Sequence, residues 1–477
     1  MAWLVLILLV FIFQIATILI LEFRHPTKTI AWLMILFIVP FIGFVMYYFL
    51  ATEYRQRRKV RHKGSRMAEV TRSHIINSCK IINNPGEFSN EQMHHEDRLF
   101  GLLKNLMDCP ITQCNEMIVY NNAKDTYDAI LESMEQAKDH IHLEYYIFKA
   151  DQIGCRFQEV LIRKAREGIK VRFIYDGLGS YELANGFLQE LKDAGVEVHS
   201  FLPLLVAFFN KRMNYRNHRK IVVVDGIIGF LGGMNVGDEH LGSNPKLGYW
   251  RDTHMRMLGD AVNFLQHTFL IDWFFVSGEK LIEDHRYFPV HQCPGNEQVQ
   301  LISSGPDTQG EGILEMYFAA ITTATSHIYI TSPYFIPDQS IMMALKTAAV
   351  SGLDVRIIIP GVADSKIVEL ASLSYLEELM RAGVKFYQYE KGFIHAKVMI
   401  IDYKLATVGT ANLDMRSFFS NFELNAVMFD RKTIQRIESD FLQDLLDSRE
   451  VTMAKFMQRS RYQKAREVLA RLFSPLL

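Results

Sequence analysis

The stretch NHRKIVVVDG, residues 217–226, places a histidine, a lysine and an aspartate around a short run of β-branched residues. His218 and Lys220 are two positions apart, so on a strand their side chains point to the same face. The Ile-Val run predicts that strand, and Asp225 follows at its end. An imidazole and an ammonium would therefore share one surface.

A second stretch repeats this pattern further along the chain. In IHAKVMIIDYKLATVGTANLD, residues 394–414, the same spacing joins His395, Lys397 and Asp402. A sparse pattern of three common residue types can occur once by chance, but a second copy with a matching continuation is the sign of an internal repeat.

The similarity extends on both sides of the motif. Downstream, GGMN and GTAN place Asn235 and Asn412 at equivalent positions. Upstream, HIHLEYYIFKAD and GIKVRFIYDG in the first copy match HIYITSPYFIPD and GLDVRIIIPG in the second. These strand-like runs alternate with helix-like segments, which predicts βα units around a mostly parallel sheet. We therefore expect two similar α/β domains, related by a pseudo-two-fold axis, that pool their histidines and lysines in one site.

The duplicated motif resembles the HKD signature of the phospholipase D superfamily, and the N-terminal part of the chain is similar to that of bacterial cardiolipin synthases. The resemblance implies two phospholipase D-like domains, which we place at 116–294 and 295–477. Two transmembrane helices within 1–50 and a basic connecting region at 51–115 would precede them. It also implies a phosphatidyltransferase without a cofactor.

The motif residues suit attack on a phosphodiester. Such a group is anionic, so its cleavage needs a nucleophile, cations for the oxygens and an acid for the leaving alkoxide. Two histidines and two lysines supply all three without a metal. The candidate catalytic set comprises the two complete motifs: His218, Lys220, Asp225, His395, Lys397 and Asp402. Within this set, we expect the two aspartates at the strand ends to be structural rather than to transfer protons.

Four further residues are candidates for phosphate binding or for orienting the histidines. A nucleophilic imidazole needs its second nitrogen held, usually by a carboxylate. Asp252 in WRDTHMRM and Glu423 in NFELNAVM follow the two motifs, and the resemblance supports this role for them. We expect each carboxylate to serve its own copy, so that Asp252 holds His218. Asn235 and Asn412 would bind the non-bridging oxygens together with the lysines.

The two copies also differ. Thr410 stands where the first copy has Gly233, and Ser417 has no clear counterpart. The copies therefore need not be functionally equal. The resemblance favours His218 as the nucleophile and leaves His395 as the acid.

Two stretches without a charged residue, 2–21 and 31–50, are each long enough to cross about 30 Å of hydrocarbon. Gln14 and Pro40 are tolerable in such spans. A signal peptide does not fit the first stretch, which lacks a basic start and a small-residue cleavage site. The short connection predicts a helical hairpin with both ends on one side of the membrane.

Seven Lys or Arg residues in 55–66 follow the hairpin. By the positive-inside rule, they predict that the catalytic halves lie in the cytoplasm. Together with the resemblance, the two spans imply a multi-pass protein of the bacterial inner membrane. We expect the cluster to be a solvated linker that also attracts anionic lipid. The five cysteines lack paired C-x-x-C spacing, so we expect neither a disulfide framework nor a zinc site, and a reducing compartment.

Two other segments allow two interpretations each. The apolar stretch 202–209 ends in Lys211, Arg212 and Arg216. It is either a buried core segment or a membrane-surface element in which Phe208 and Phe209 enter the bilayer. The segment 461–477 is either a surface helix or a cap on the second domain.

The resemblance implies transfer of a phosphatidyl group from one phosphatidylglycerol to a histidine and then to a second phosphatidylglycerol. The products would be cardiolipin and glycerol, and the partners phosphatidylglycerol and other anionic membrane lipids. A net charge of −1 gives no general attraction for nucleic acid. The alternatives are a phospholipase D hydrolase or another phosphatidyltransferase, such as a phosphatidylserine synthase. A nuclease and an inactive membrane scaffold fit less well.

Overall fold

The computed structural model describes residues 2–22, 26–50, 65–106, 109–203, 206–207, 214–306 and 311–474. Fifteen strands in this part of the chain form one continuous sheet, and two further strands pair beside it.

The strands are β1 Thr112–Tyr120, β2 His140–Tyr145, β3 Lys170–Asp176, β4 Glu197–Phe201, β5 Ile221–Val224, β6 Ile228–Gly232, β7 Tyr249–Arg251, β8 His254–Gly259, β9 Glu297–Ser304, β10 His327–Thr331, β11 Asp354–Pro360, β12 Lys385–Tyr389, β13 Gly392–Ile394, β14 Val398–Ile401, β15 Leu405–Gly409, β16 Glu423–Met428 and β17 Ser448–Glu450.

The α-helices are α1 Ala2–Leu21, α2 Pro26–Ile38, α3 Ile42–Leu50, α4 Ser65–Ser78, α5 Asp97–Asn105, α6 Ala123–Glu135, α7 Gln152–Arg166, α8 Asn185–Asp193, α9 Asp260–Ser277, α10 Gly312–Thr322, α11 Gln339–Val350, α12 Lys366–Ala382, α13 Met415–Phe419, α14 Arg431–Leu446, α15 Met453–Met457 and α16 Arg461–Leu472. Short 3-10 helices lie at Pro85–Glu87, Glu91–Met93, Asp238–Leu241, Leu281–Glu283 and His285–Tyr287.

The order of the strands shows the expected pseudo-symmetry. From the central pair outward, the sheet runs β9, β16, β15, β14, β10, β11, β12 on one side and β1, β8, β6, β5, β2, β3, β4 on the other. Each strand thus has a counterpart, and β17 is an extra edge strand. We call β1 to β8 with their helices the first half and β9 to β17 with theirs the second half.

The sheet is mixed, so the expectation of a mostly parallel sheet is wrong. Parallel pairing within it is confined to β2–β3–β4 and β10–β11–β12, where helices connect successive strands. The motif strands instead turn back directly into hairpins, β5–β6 and β14–β15, which are antiparallel. Asp225 and Asp402 lie in these two turns with φ of 55° and 49°. That left-handed conformation suits a tight hairpin connection.

The two halves share a hydrophobic core. One buried cluster combines Val223 and Met257 of the first half with Ile400 and Val408 of the second. The long helix α9, which is buried along most of its length, packs into the same cluster. The halves therefore form one packed unit around the middle of the sheet, which positions both motifs in a common frame.

The N-terminal segment confirms only part of the predicted hairpin. Within the described residues, one helix is long and apolar enough to cross a membrane, Trp3–Leu21. The second apolar stretch is not one helix, because it breaks at residues 39–41 around Pro40, between α2 and α3. Proline lacks the amide hydrogen that a continuous helix needs and its ring crowds the preceding turn. Helix α3 then packs back on α2, so that the rings of Trp32 and Tyr47 are 5.5 Å apart.

Cys114 and Cys293 form a disulfide, with 4.8 Å between their Cα atoms. The expectation that the cysteines form no disulfide framework is therefore wrong for this pair, and the bond goes against the expected reducing compartment. Cys114 lies on β1, and Cys293 lies in the segment that leads to its neighbour β9. Their proximity arises from pairing at the centre of the sheet, which the spacing of cysteines along the chain does not show.

The C-terminal helix α16 caps the second half. The Arg471 guanidinium lies 4.3 Å from the Tyr375 ring centroid and donates a hydrogen bond to the Ser374 carbonyl, both on α12. Val468 and Leu469 remain exposed on its outer side. The basic cluster at 55–64 lies outside the described residues.

Candidate active site

The backbone around the two motifs crosses between the halves. The His395 amide donates to the Arg251 carbonyl at 2.7 Å, next to the parallel pairing of β13 with β7. In the same way, the His218 amide donates to the Phe422 carbonyl at 2.9 Å. Each motif histidine is therefore anchored to a segment of the other half.

These crossings decide which carboxylate holds which histidine. Glu423 directly follows Phe422, which contacts His218. Asp252 directly follows Arg251, which contacts His395. His218 Nδ1 lies 3.0 Å from Glu423 Oε2, and His395 Nδ1 lies 2.7 Å from Asp252 Oδ2. The predicted pairing of Asp252 with His218 is wrong, because each carboxylate serves the histidine of the opposite half.

The difference between Gly233 and Thr410 belongs to the same arrangement. The Thr410 hydroxyl donates to Glu423 Oε2 at 2.5 Å, and its carbonyl accepts from His218 Nδ1 at 3.1 Å. At Gly233, an added Cβ would come within 2.1 Å of Asp252 Oδ1. One half therefore uses a threonine to support its carboxylate, and the other leaves room for the carboxylate itself.

The lysines show a second asymmetry. Lys220 Nζ donates to the His218 carbonyl at 2.7 Å and lies 5.4 Å from the Tyr146 ring centroid. Lys397 Nζ donates to the His395 carbonyl at 2.6 Å and lies 2.9 Å from His395 Nε2. No hydrogen-bond partner of His218 Nε2 exists in the described part of the chain. Nε2 of His218 is thus open towards the site, whereas Nε2 of His395 contacts an ammonium group.

Burial controls the charge of the site. It lowers the pKa of His218 to about 4, although Glu423 acts in the opposite direction. Burial, followed by the nearby Lys397 ammonium, also lowers the pKa of His395 well below its usual range. Burial lowers the pKa of Lys220 to about 7 and that of Lys397 to about 8. At neutral pH the imidazoles are therefore neutral, and the Nδ1–H of each is directed at its carboxylate.

Asn235 and Asn412 are both buried beside the motifs. Asn235 Oδ1 accepts from the Ile147 amide at 3.1 Å. Asn412 Oδ1 is buried and has no hydrogen-bond partner among the described residues. Neither side-chain nitrogen makes a hydrogen bond within the described residues, so both amides keep donors for a ligand.

Asp225 and Asp402 lie at the far ends of the motif strands, about 17 Å from the lysines along an extended chain. The Asp225 carboxylate accepts hydrogen bonds from three successive amides, of which that of His140 is 2.9 Å away. Asp402 does the same with three amides that end at His327. Although burial acts in the other direction, these donors lower the pKa of Asp402. Both aspartates fix hairpin turns to the start of a neighbouring strand.

Sequence reasoning missed a third histidine in the site. The His240 ring is 6.3 Å from the His395 ring and 4.3 Å from the Trp250 ring. Its Nδ1 is buried without a partner in the described residues. His240 follows Asn235 by the same number of residues as Ser417 follows Asn412, so continuing the comparison of the repeat would have found it.

Arg216 does not face the membrane as the surface interpretation expected. It is buried, 3.5 Å from Asp176 Oδ1. Ala207 is buried and Val206 is exposed. Phe208, Phe209, Lys211 and Arg212 lie outside the described residues.

Comparisons with known proteins identify relatives of this chain. A family model described as "Cardiolipin synthase, PLD-like domain" matches residues 130–250 and 317–445, and one described as "Phospholipase_D-nuclease N-terminal" matches residues 4–51. The chain is 43% identical over 468 residues to a cardiolipin synthase of Halalkalibacterium halodurans, which covers 97% of this chain and 92% of that protein. It is 40% identical over 480 residues to a cardiolipin synthase of Listeria innocua, with coverage of 100% and 99%.

Among solved structures, a phosphatidylserine synthase of Haemophilus influenzae aligns with a TM-score of 0.60. The alignment covers 80% of this chain and 98% of the other at 14% identity, so this likeness shows the fold alone.

Proposed function

This chain belongs to the family of cardiolipin synthases with phospholipase D-like domains and is a phosphatidyltransferase, and from that premise we propose that it joins two phosphatidylglycerol molecules into cardiolipin and releases glycerol. One observation carries the mechanism: two buried imidazoles, each held at Nδ1 by a carboxylate of the opposite half, lie beside two lysines.

In the first step, His218 Nε2 attacks phosphorus of the donor lipid. A P–N bond forms, and the bond between phosphorus and the glycerol oxygen breaks. The departing oxygen takes a proton from His395 Nε2, so that free glycerol leaves. Lys220 and Lys397, with the amides of Asn235 and Asn412, stabilise the negative charge on the non-bridging oxygens.

The proton for this step has a source in the site. The anionic phosphodiester raises the pKa of His395 when it binds, because an opposite charge favours the imidazolium. Lys397 Nζ, 2.9 Å from His395 Nε2, is the group from which that proton comes.

In the second step, the hydroxyl of the second phosphatidylglycerol gives its proton to His395 Nε2 as its oxygen attacks phosphorus, and His395 passes a proton back to Lys397. The P–N bond breaks, and His218 returns to its neutral form. Over the two steps, two phosphatidylglycerol molecules are consumed, and one cardiolipin and one glycerol are formed. Neither step uses a metal ion or a cofactor, so EDTA should leave the rate unchanged.

The assignment of His218 as the nucleophile is supported by the asymmetry of the two histidines. Its Nε2 lone pair is open towards the site, whereas that of His395 is engaged by Lys397. The Tyr146 ring, 4.8 Å from the His218 ring, limits the positions that this imidazole can take.

A lipid substrate is supported by the N-terminal part of the chain. The helix Trp3–Leu21 is apolar and mostly exposed, as a membrane anchor would be. A net charge of −1 speaks against a polyanionic nucleic acid as substrate. We infer that phosphatidylglycerol and other anionic lipids are the partners, within the bacterial inner membrane.

We also propose that the catalytic halves face the cytoplasm, because seven basic residues at 55–66 follow the N-terminal helices. The Cys114–Cys293 disulfide favours an oxidising side instead. Alkylation in intact cells with a thiol reagent that crosses the membrane distinguishes the two: a cytoplasmic location predicts alkylation of Cys293, which is exposed, and a fully bonded pair would contradict it.

The proposed function is tested with purified full-length protein and phosphatidylglycerol labelled in the glycerol headgroup. Cardiolipin and free glycerol should appear in equal amounts. Phosphatidic acid as the main lipid product would indicate a hydrolase. No turnover by a folded protein would indicate a scaffold.

A further inference from the structure

An open pocket lies in the second half, next to His395. It is formed where the parallel strands β10, β11 and β12 end, together with the first turns of α12. In open α/β sheets, ligands bind at this edge, outside the carboxyl ends of the strands. Its lining residues are Pro333, Tyr334, Ile359, Pro360, Ala363, Asp364, Ser365, Val368, Glu369, Ser372, Leu373, Gln388 and Phe393.

The pocket shares a wall with the catalytic residues. The ring of Phe393, which lines it, is 5.9 Å from the His395 ring. The Tyr334 hydroxyl donates to Asp364 Oδ2 at 2.5 Å, and both residues line the pocket. Asp364 is also among the carboxylates whose charges raise the pKa of Lys397 against the larger effect of burial. The pocket therefore lies next to the His395–Lys397 pair, with Phe393 in the shared wall.

The lining is chemically suited to hydroxyl groups. It offers carboxylates, hydroxyls and an amide, and it contains neither Lys nor Arg. Lys366 lies at the start of α12, beside the pocket, and its ammonium group is paired with the Glu369 carboxylate at 2.6 Å. Carboxylates repel a phosphate but accept hydrogen bonds from alcohols. Phe393 and Leu373 supply apolar surface for a short carbon chain.

We infer that this pocket binds the glycerol headgroup of phosphatidylglycerol. The inference rests on the proposed function. When His218 attacks phosphorus, the leaving oxygen lies in line on the opposite side, which is the side of His395 and the pocket. The same position serves the acceptor headgroup in the second step, because the incoming oxygen replaces the leaving one. The pocket thus holds glycerol where His395 can give it a proton and then takes up the acceptor hydroxyl.

Free glycerol is the probe for this site. Purified full-length protein, given cardiolipin and free glycerol, runs the reaction backwards and forms phosphatidylglycerol. The variants Asp364→Asn and Tyr334→Phe should raise KM for glycerol at least tenfold with a smaller change in kcat. Measurement at pH 6.5 keeps Lys397 charged in Asp364→Asn, and Tyr334→Phe alters no charge. The matched control is Glu378→Gln, an exposed carboxylate on the same helix, which should leave both constants unchanged.

A second readout is the choice between alcohols. With equal concentrations of glycerol and 1-propanol, the wild type should form mostly phosphatidylglycerol, and both variants should shift towards phosphatidylpropanol. A fall in kcat at constant KM and constant alcohol preference would overturn the inference and leave the proposed function intact. Absence of cardiolipin formation from phosphatidylglycerol in the wild type would overturn both.

Discussion

His395 is oriented by Asp252, a carboxylate that lies 143 residues earlier in the chain, in the opposite half of the sheet, at 2.7 Å from Nδ1. Glu423 stands in the same relation to His218. Neither half therefore contains a complete histidine–carboxylate pair. The duplication has produced one site in which each half completes the other.

The crossed pairing predicts which step each carboxylate affects. A phosphatidyl donor with a p-nitrophenyl leaving group needs no proton, so its burst of nitrophenol reports attack by His218 alone. Glu423→Gln should slow this burst by about 100-fold or more, since it removes the group that holds the nucleophile. Asp252→Asn should largely spare the burst and slow the later transfer to an acceptor alcohol, measured by stopped-flow absorbance and product analysis.

The opposite pattern would contradict the crossed pairing. If Asp252→Asn slowed the burst and Glu423→Gln spared it, each carboxylate would serve the histidine of its own half. Both substitutions keep the shape of the side chain, so circular dichroism should show unchanged folding.

The lysines should act as binders of the phosphate oxygens. Replacing Lys220 or Lys397 by Ala removes one charged donor, which costs about 100- to 1,000-fold in kcat. For Lys397→Ala, the loss of rate should be smaller with the p-nitrophenyl donor than with phosphatidylglycerol. The reason is that the p-nitrophenyl donor needs no proton from the His395–Lys397 pair. Steady-state rates with both donors measure these losses. Equal losses in Lys220→Ala and Lys397→Ala with both donors would contradict a role of Lys397 in proton transfer.

The rate should depend on pH through both kinds of residue. His218 acts as a neutral nucleophile with a pKa of about 4, so kcat/KM should fall as the pH drops towards that value. Lys220 and Lys397 act as cations with pKa values of about 7 and about 8, so kcat/KM should fall again as the pH rises through this range. The two limits belong to the coupled site rather than to single residues. A profile that stays flat to pH 10 would mean that neither lysine needs its charge.

The N-terminal helices should be separable from catalysis. Their small buried cluster, built around Trp32, Leu36 and Tyr47, is distinct from the cores of the two halves. Deletion of residues 1–50 should abolish association with liposomes in a flotation assay and retain activity on detergent-dispersed lipid. A deletion protein that aggregates and is inactive in detergent would show that these helices belong to the catalytic fold.

The repeat in the sequence was sufficient to predict two similar halves, and it identified the histidines and lysines that the structure brings near one another. It could not predict the crossed carboxylates, because they depend on backbone contacts of His218 with Phe422 and of His395 with Arg251. Residues that are brought together only by such contacts have no characteristic distance from each other along the sequence.

Other differences have local causes. The strand and helix pattern indicated βα units correctly for β2 to β4 and β10 to β12, but the turns at Asp225 and Asp402 reverse the motif strands directly and make the sheet mixed. Hydropathy alone described 31–50 as one span, whereas Pro40 divides it into two helices that pack together. The Cys114–Cys293 bond depends on the pairing of β1 with β9.

The most direct test of the account is to trap the covalent intermediate in His395→Ala. This variant can be charged from the p-nitrophenyl donor, because departure of nitrophenol needs no acid, but it lacks the base for the second step. The phosphorus–nitrogen bond is labile in acid. The sample is therefore denatured and digested at alkaline pH before mass spectrometry. We predict one phosphatidyl group per chain, on the peptide that contains His218. A phosphatidyl group on His395 in the His218→Ala variant, with an unlabelled His218 in His395→Ala, would contradict the account.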